Sequence, residues 1–183
     1  MTQLDLIARL MLLEPPLHLF GGFAEDALLD GGVSRPHADI DVFVWLDELD
    51  LRLEQLRELG CGDAHVKFEP AQDRPLVIGV FVADAEIELV VGQRDDGGRG
   101  FFELPGRHGL RRMMLPDDAV KYPEQPLDGL LVRVLSPLTL YQVRIASGEL
   151  FGGYRSKDVQ AQRALRKAFF EDVPEEDLQP VYK

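Results

Sequence analysis

Asp39 and Asp41 are the residues of this chain whose type and spacing most clearly suggest chemistry. They lie in the segment 38–45, where apolar side chains alternate with the others at the two-residue period of a β-strand. Both carboxylates should therefore project from one face, with their Cα atoms about 6.6 to 7 Å apart. Mg²⁺ prefers oxygen ligands and is commonly held by one or two carboxylates plus substrate phosphates. The pair suits nucleotide chemistry, although a strand that merely shows polar residues to solvent has the same pattern.

Gly21 and Gly22 supply the context for the acidic pair. The apolar run Leu17–Phe20 predicts a short strand before them, and the apolar spacing in Phe23–Asp30 predicts a helix after them. Glycines at a strand-to-helix turn let backbone N–H groups approach a phosphate at the start of a helix. Glycine turn, helix, loop and acidic strand in this order are more specific than any one of these parts.

These two blocks, GGFAED at 21–26 and RPHADID at 35–41, carry a resemblance to a known family. They resemble the polymerase-beta-like nucleotidyltransferase superfamily, and within it most closely the aminoglycoside and lincosamide nucleotidyltransferases. Weaker similarity extends over roughly Leu17 to Leu165, through the segments Ile87–Leu89, Lys121–Pro123, Val132–Ser136 and Arg155–Asp158.

The resemblance implies a fold and an activity. The implied fold is α+β (α/β), the nucleotidyltransferase fold: a mixed twisted sheet with helices packed on one face, followed by C-terminal helices. Residues 1–110 would form the catalytic core and 111–183 would complete the acceptor side, as a second region or as part of one continuous domain. The implied activity moves a nucleoside monophosphate, usually AMP from ATP, to a hydroxyl of a small molecule. One or two Mg²⁺ ions and ATP or another nucleoside triphosphate would take part.

Carried over residue by residue, Asp39 and Asp41 match the family's metal pair. Glu88 matches its third carboxylate, which can bind a second metal ion or act as general base on the acceptor hydroxyl. The family more usually has Asp there. Glu86 on the same strand face is the alternative, and Glu88 is preferred because apolar residues flank it as they flank the aspartates. Both glutamates could also be a solvated strand face.

The same resemblance assigns the nucleotide-binding residues. Gly21 and Gly22 would hold the triphosphate, and Arg35 would neutralise phosphate charge or orient its loop. Lys157 would reach the triphosphate from the C-terminal helices, or be solvated beside Asp158.

Three kinds of neighbouring side chain have less definite roles. His37 is either a partner of an aspartate or a surface histidine, and Asp26 would orient Arg35 or cap local structure. Tyrosines at 122, 141 and 154 would contact the acceptor or belong to the core.

Periodicity predicts the remaining elements. Helices are expected over 1–13, over 47–59 with Asp47 as N-cap and Gly60 as its stop, from Pro137 to about Ser147 with Ser136 as N-cap, and from about Ser156, as its N-cap, to Phe170. Strands are expected at 64–68, 76–82, 86–91 and 130–135. The segment 94–100 reads as a loop, 105–126 as irregular with a weak helix around Leu110–Met114, and the tail from Glu171 as frayed.

Composition limits the partners and the compartment. The net charge is −12 with a pI near 4.7, and basic residues form no stripe, so long nucleic acids should be repelled. The charge would favour a cationic substrate, or serve solubility alone. Cys61 is the single cysteine, which excludes an intramolecular disulfide and fits a cytoplasmic location. No membrane span is expected, and the chain should be a monomer or a homodimer.

Two further functions stay open. One is a toxin–antitoxin nucleotidyltransferase that modifies a protein hydroxyl or a tRNA end; the acidic charge argues against the tRNA. The other is a nucleotide-binding module without catalysis, which the presence of both Asp39 and Asp41 makes the weaker reading.

Overall fold

The computed structural model describes residues 1–70, 75–106, 109–150 and 153–183. Its α-helices are α1 (Gln3–Leu10), α2 (Gly21–Leu29), α3 (Leu49–Glu58), α4 (Pro137–Leu150) and α5 (Ser156–Phe169). Its strands are β1 (His18–Leu19), β2 (Asp39–Trp45), β3 (His65–Phe68), β4 (Val77–Val82), β5 (Ala85–Arg94), β6 (Gly100–Gly106), β7 (Gly109–Met114), β8 (Gln125–Leu127), β9 (Leu130–Val132) and β10 (Val181–Tyr182).

Eight of these strands form one mixed sheet with β2 and β5 at its centre. These two strands run parallel, and the other pairings are antiparallel: β1 on β2, β4 on β5, and β3 on β4. The end of β5 pairs with β6, and β7 and β10 continue the sheet from there. The mixed sheet with its helices confirms the predicted fold class.

The strand period of β2 separates two environments. Ile40 and Val42 are fully buried in the core, whereas Asp39 and Asp41, which alternate with them, are partly exposed on the other face. Burying the apolar side chains fixes which face each aspartate takes, because a shift by one residue would move the whole set. The predicted orientation of the two carboxylates on one face is confirmed.

The short hairpin of β8 and β9 lies outside the main sheet. Its two turn residues, Asp128 and Gly129, both have positive φ, 46° and 84°. Asp-Gly with this backbone is a favoured two-residue hairpin turn. The expected irregular stretch up to Pro126 thus ends in a strand.

The structure corrects the weak helix expected at Leu110–Met114. This segment is β7, which pairs with β6 on one side and with β10 on the other. Its local pattern is ambiguous, since only Met113 is fully buried, and the two neighbouring strands decide its conformation. Residues 107–108 of the expected irregular stretch lie outside the described part of the chain.

Two predicted helix caps are wrong and two predicted boundaries are confirmed. A 3₁₀ turn, Leu46–Glu48, precedes α3, so Asp47 is not its N-cap; the Asp47 carboxylate binds Arg94 instead. Arg155 is the N-cap of α5, and Ser156 is its first residue. Ser136 does cap α4, since its hydroxyl accepts from the Thr139 N–H at 3.4 Å. Gly60 follows α3 with φ +89°, as expected for a helix stop.

The C-terminal tail is ordered rather than frayed. Leu178, in a 3₁₀ turn, is 2% exposed, and Val181 lies opposite Met114 at the edge of the sheet. Burial of an apolar side chain and backbone pairing together hold the tail, despite its acidic and proline-rich sequence. Among the residues that the structure describes, no helix has both the length and the apolarity needed to cross a bilayer.

Candidate active site

A cavity of about 440 Å³ lies on the polar face of β2 and β5, bordered by α2, α4 and the start of α5. Every residue that the sequence assigns to catalysis, metal or nucleotide lines it: Gly21, Gly22, Arg35, Asp39, Asp41, Glu88 and Lys157. The three predicted tyrosines are not among the described residues that line it. Tyr141 is a core residue whose hydroxyl donates to Glu175 at 3.2 Å.

The glycine turn is held directly against the acidic strand. The Phe20 N–H donates to the Asp41 carbonyl at 2.9 Å, so the next residue, Gly21, lies beside the Asp41 side chain. Gly21 has φ +57°, and a Cβ atom there would overlap the Asp41 carboxylate. Glycine is therefore required at this position for two reasons: the backbone is left-handed, and there is no space for a Cβ atom.

The first turn of α2 opens toward the cavity. Its N-cap, Phe20, offers no side-chain hydrogen bond, and no acidic residue lies in the first turn. Backbone N–H groups at such a helix start lack intrahelical partners and carry the positive end of the helix dipole. The turn can bind an anionic group such as phosphate.

Asp26 holds the loop between α2 and β2. It accepts from the Ser34 N–H at 3.0 Å, from the Ser34 hydroxyl at 2.6 Å and from His37 Nε2 at 2.7 Å. The histidine is thus an aspartate's partner, as one reading of the sequence expected, but its partner is Asp26 and not the proposed metal pair. These bonds fix the loop that carries Arg35, whose guanidinium comes within 3.2 Å of where a Cβ of Gly22 would lie.

The three predicted carboxylates lie on neighbouring strands of one face. In the parallel register Asp41 is opposite Glu88, and Asp39 is opposite Glu86. Burial, followed by the negative charges of Asp39 and Glu88, raises the pKa of Asp41 to about 7. The acidic group thus has a surplus of negative potential that a bound cation would relieve.

Lys67 is a residue of the site that sequence reasoning missed. From β3 its ammonium group reaches over β4 to contact Glu88, and it binds Glu86 at 2.9 Å. Gly79 lies on β4 opposite Glu88, and a Cβ there would come within 2.8 Å of the Glu86 carboxylate. The lack of a side chain at Gly79 therefore provides the space in which Lys67 contacts Glu86 and Glu88. Partial burial disfavours the ammonium, but Glu88 and Glu86 outweigh it and raise the pKa of Lys67.

Arg144 is the second missed residue. From α4 its guanidinium binds Glu25 of α2 at 2.6 Å and Asp158 of α5 at 2.8 Å. Burial opposes its charge, but the two carboxylates outweigh that and raise the pKa of Arg144. The only sequence signal was one arginine in an otherwise apolar helix face, which does not identify its partners.

Two basic side chains at the cavity have no such partner. Arg35 and Lys157 make no hydrogen bond or ion pair with the described residues, and both line the cavity, Arg35 beside Gly22. Lys157 is exposed, and its charge acts on Asp41. Their positive charges are available to an anionic ligand.

The donor set suits a hard divalent cation at Asp39 and Asp41. Carboxylate oxygens are the ligands that Mg²⁺ prefers. The raised pKa of Asp41 reflects burial first and then the negative charges of Asp39 and Glu88, which such an ion would offset. Within the described residues, no three His, Cys, Asp or Glu side chains are close enough together to hold a metal ion. Glu88 lines the same cavity but is bound by Lys67.

Comparison with known proteins places the fold. No protein-family model and no curated protein matches the chain. The solution structure of the antibiotic-resistance factor ANT(2'')-Ia matches with a TM-score of 0.62 and 19% identity, over 89% of this chain and 77% of that one. The crystal structure of ANT(2'')-Ia with adenylyl-2''-tobramycin gives 0.60 and 19%, over 89% and 82%. The lincomycin-bound lincosamide adenylyltransferase LnuA gives 0.63 and 18%, over 91% and 98%.

The resemblance seen in the two sequence blocks is thus confirmed for the three-dimensional structure. The match to LnuA covers 91% of this chain. Residues of both sequence blocks line the same cavity. The chain therefore has the nucleotidyltransferase fold, which it shares with ANT(2'')-Ia and the lincosamide adenylyltransferase LnuA.

Proposed function

We propose that the chain is a Mg²⁺-dependent nucleotidyltransferase that moves AMP from ATP to a hydroxyl of a small molecule and releases pyrophosphate. The observation that carries this proposal is the contact of the Gly21 turn with Asp41, inside a cavity that Asp39 and Glu88 share. An anion-binding helix start and a pair of metal-binding carboxylates at one point match the two halves of a metal–triphosphate complex.

The triphosphate would lie against the start of α2. The N–H groups after Gly21 and Gly22 would bind phosphate oxygens, and Arg35 and Lys157 would neutralise their charge. Asp39 and Asp41 would hold Mg²⁺, which supplies charge stabilisation at the phosphate oxygens when bound. Residues of 1–110, together with Lys157 of α5, would thus bind the nucleotide, while α4 and the rest of 111–183 complete the acceptor side.

Glu88 would act on the acceptor. The acceptor hydroxyl oxygen forms a bond to the α-phosphorus, the bond from that phosphorus to the bridging oxygen of the β-phosphate breaks, and pyrophosphate leaves. The hydroxyl proton passes to the Glu88 carboxylate. Lys67 positions this carboxylate by binding it from the side of β3. Glu88 lines the described cavity and Glu86 does not, which supports Glu88 as the base.

Asp41→Asn tests the proposal. Labelled ATP and Mg²⁺ are incubated with the protein and with aminoglycosides, lincosamides or candidate proteins, and labelled product and pyrophosphate are measured. Loss of the metal pair should lower turnover by at least about 10²-fold, while thermal melting shows an intact fold. The matched control is Asp63→Asn, which alters an exposed aspartate outside the cavity and should leave turnover unchanged.

The outcomes separate the alternatives. Near-normal turnover in Asp41→Asn would refute the assignment. AMP transfer to a protein or a tRNA, without transfer to small molecules, would favour the toxin–antitoxin type. ATP binding without any transfer would favour the non-catalytic module.

A further inference from the structure

The chemistry of the cavity changes along the strands that form its floor. On the shared face of β2 and β5, Asp41 lies opposite Glu88, and two residues further along Phe43 lies opposite Val90. Side chains two apart on a strand point to the same side. The floor therefore changes from carboxylates to apolar side chains within one step of the pleat.

Apolar side chains from three further elements line the cavity. They are Val77 of β4, Phe102 and Leu104 of β6, and Leu140 and Val143 of α4. Val77 lies opposite Val90, and the Phe102 ring packs edge-on against Phe43 with centroids 5.8 Å apart. These residues form an apolar wall of the cavity, and the Phe102 ring also packs edge-on against Phe20, the residue before the glycine turn, with centroids 6.4 Å apart.

The acidic side chains of the cavity are already engaged. Of the four carboxylates among its described lining residues, Glu25 binds Arg144 at 2.6 Å and Glu88 is bound by Lys67. The other two are Asp39 and Asp41, which the proposed function assigns to Mg²⁺. The net charge of −12 is a property of the molecule as a whole. Among the described residues that line the cavity, no carboxylate remains to bind an amino group of the acceptor.

We propose that the acceptor is an amphiphile: an uncharged or singly charged molecule that carries its reacting hydroxyl next to an apolar face. The hydroxyl would meet Glu88, and the apolar face would pack against Val90, Phe102 and Val143. A polycationic amino sugar would leave ammonium groups against an apolar wall without partners, which is costly. This inference rests on the proposed function and specifies its acceptor class.

Three probes separate the two classes of acceptor. The protein with Mg²⁺ and a non-hydrolysable ATP analogue is titrated calorimetrically with n-hexyl β-D-glucoside, methyl β-D-glucoside and kanamycin. The hexyl glucoside should bind at least about tenfold more tightly than the methyl glucoside, because its alkyl chain leaves water on binding. It should also bind more tightly than kanamycin. Equal binding of the two glucosides, or tighter binding of kanamycin, would overturn the proposal.

A matched pair of variants locates the binding site. Val143→Thr changes a partly buried residue of the apolar wall, and Val66→Thr makes the same change at a position that is 56% exposed outside the cavity. The first should weaken hexyl glucoside binding several-fold and the second should not, with thermal melting as the check on folding. Val77→Thr serves in place of Val143→Thr if that protein does not fold. Equal affinity in all of them would contradict an apolar acceptor site here.

Lys67→Met tests the charge argument separately. Removing the ammonium frees Glu86 and Glu88, so kanamycin should bind several-fold more tightly than to the wild type. Unchanged kanamycin affinity would contradict the view that Lys67 withholds these carboxylates from cations.

Binding of the ATP analogue distinguishes this inference from the proposed function. If the wild type fails to bind the analogue with Mg²⁺, the proposed nucleotidyltransferase is refuted. If it binds the analogue but prefers kanamycin, only the acceptor class is wrong.

Discussion

Gly21 and Asp41 lie so close together that the Asp41 side chain fills the space between them and leaves none for a Cβ atom on residue 21. The backbone of Gly21 is left-handed, at φ +57°, and an added Cβ would overlap the Asp41 carboxylate. The same contact brings the start of α2 to β2, the strand that carries the proposed metal pair. At the scale of single residues, the proposed activity depends on this approach and on the pairing of Lys67 with Glu88.

Gly21→Ala should therefore damage both stability and activity. A left-handed alanine costs roughly 1–2 kcal/mol, and displacement of Asp41 should lower kcat/KM for ATP by about 10²-fold. Urea unfolding and initial rates of pyrophosphate release measure the two effects.

Gly60→Ala is the matched control for Gly21→Ala. Gly60 also has positive φ, 89°, but nothing lies within 4 Å of an added Cβ. Gly60→Ala should also lose the roughly 1–2 kcal/mol that a left-handed alanine costs, and it should keep its activity. Equal activities in the two variants would show that the contact with Asp41 has no functional role.

Lys67 should limit the number of divalent ions that bind. Its ammonium group forms ion pairs with Glu86 and Glu88, so these carboxylates are not available to a metal ion. The wild type with an ATP analogue should therefore bind one Mn²⁺ ion per chain, at Asp39 and Asp41. Lys67→Met should bind a second ion, because two carboxylates become available. Mn²⁺ titration followed by electron paramagnetic resonance counts the ions.

The control for Lys67→Met is Lys121→Met, at an exposed lysine outside the cavity, which should behave as the wild type. Two tightly bound ions in the wild type would refute this role of Lys67.

At the scale of elements, α4 connects the two halves of the site. Ser136 caps the start of this helix. Leu140 and Val143 line the cavity. Arg144 binds Glu25 of α2 and Asp158 of α5. Because a buried charge is costly without its partner, these ion pairs hold the three helices in one arrangement around the cavity.

Stability should depend on pH through Asp158. Burial alone would raise the pKa of Asp158, but the hydrogen bond from Arg155 and the charge of Arg144 outweigh it and lower the pKa. A lowered carboxylate pKa contributes stability above the unfolded-state value of about 3.9, and the contribution is lost as the pH falls through the folded-state value. The gap in unfolding free energy between wild type and Asp158→Asn should be largest at neutral pH and shrink in acid.

Urea unfolding at a series of pH values measures this gap. Asp172→Asn, at an exposed aspartate near the end of the chain, should show no comparable gap at any pH. A gap for Asp158→Asn that does not change with pH would show that the carboxylate's charge is not what joins the helices.

At the scale of the whole molecule, the C-terminal tail completes the sheet. β10 covers the edge of β7, with Val181 opposite Met114, and Leu178 enters the core. Chain segments more than sixty residues apart in sequence thus pair. Through β7 they support β6, the strand that carries Phe102 and Leu104 of the apolar wall.

Leu178→Ala should destabilise the protein by about 2–5 kcal/mol, as truncation of a fully buried leucine does. Val181→Ala, at a residue 57% exposed, should change stability by no more than about 0.5 kcal/mol. Denaturant unfolding of both variants tests this, and a negligible effect of Leu178→Ala would show that the tail is not part of the core in solution.

Local pattern was sufficient to predict part of the site. The alternation in β2 placed Asp39 and Asp41 on one face, and the order of glycine turn, helix and acidic strand carried the resemblance to nucleotidyltransferases. All seven assigned residues line one cavity, while their roles in catalysis and binding stay predictions. Such features are readable because a strand's period and a turn's glycine are properties of a few adjacent residues.

The sequence by itself thus determined the fold class, most elements and the acidic face. Only the tertiary structure decided that Leu110–Met114 is a strand, that the tail is ordered, and that Lys67 and Arg144 belong to the site. Each of these depends on partners far along the chain: β7 on β6 and β10, Lys67 on β5, Arg144 on α2 and α5. Long-range pairing and buried charge contacts leave no local periodicity, so they become visible only when the segments are brought together.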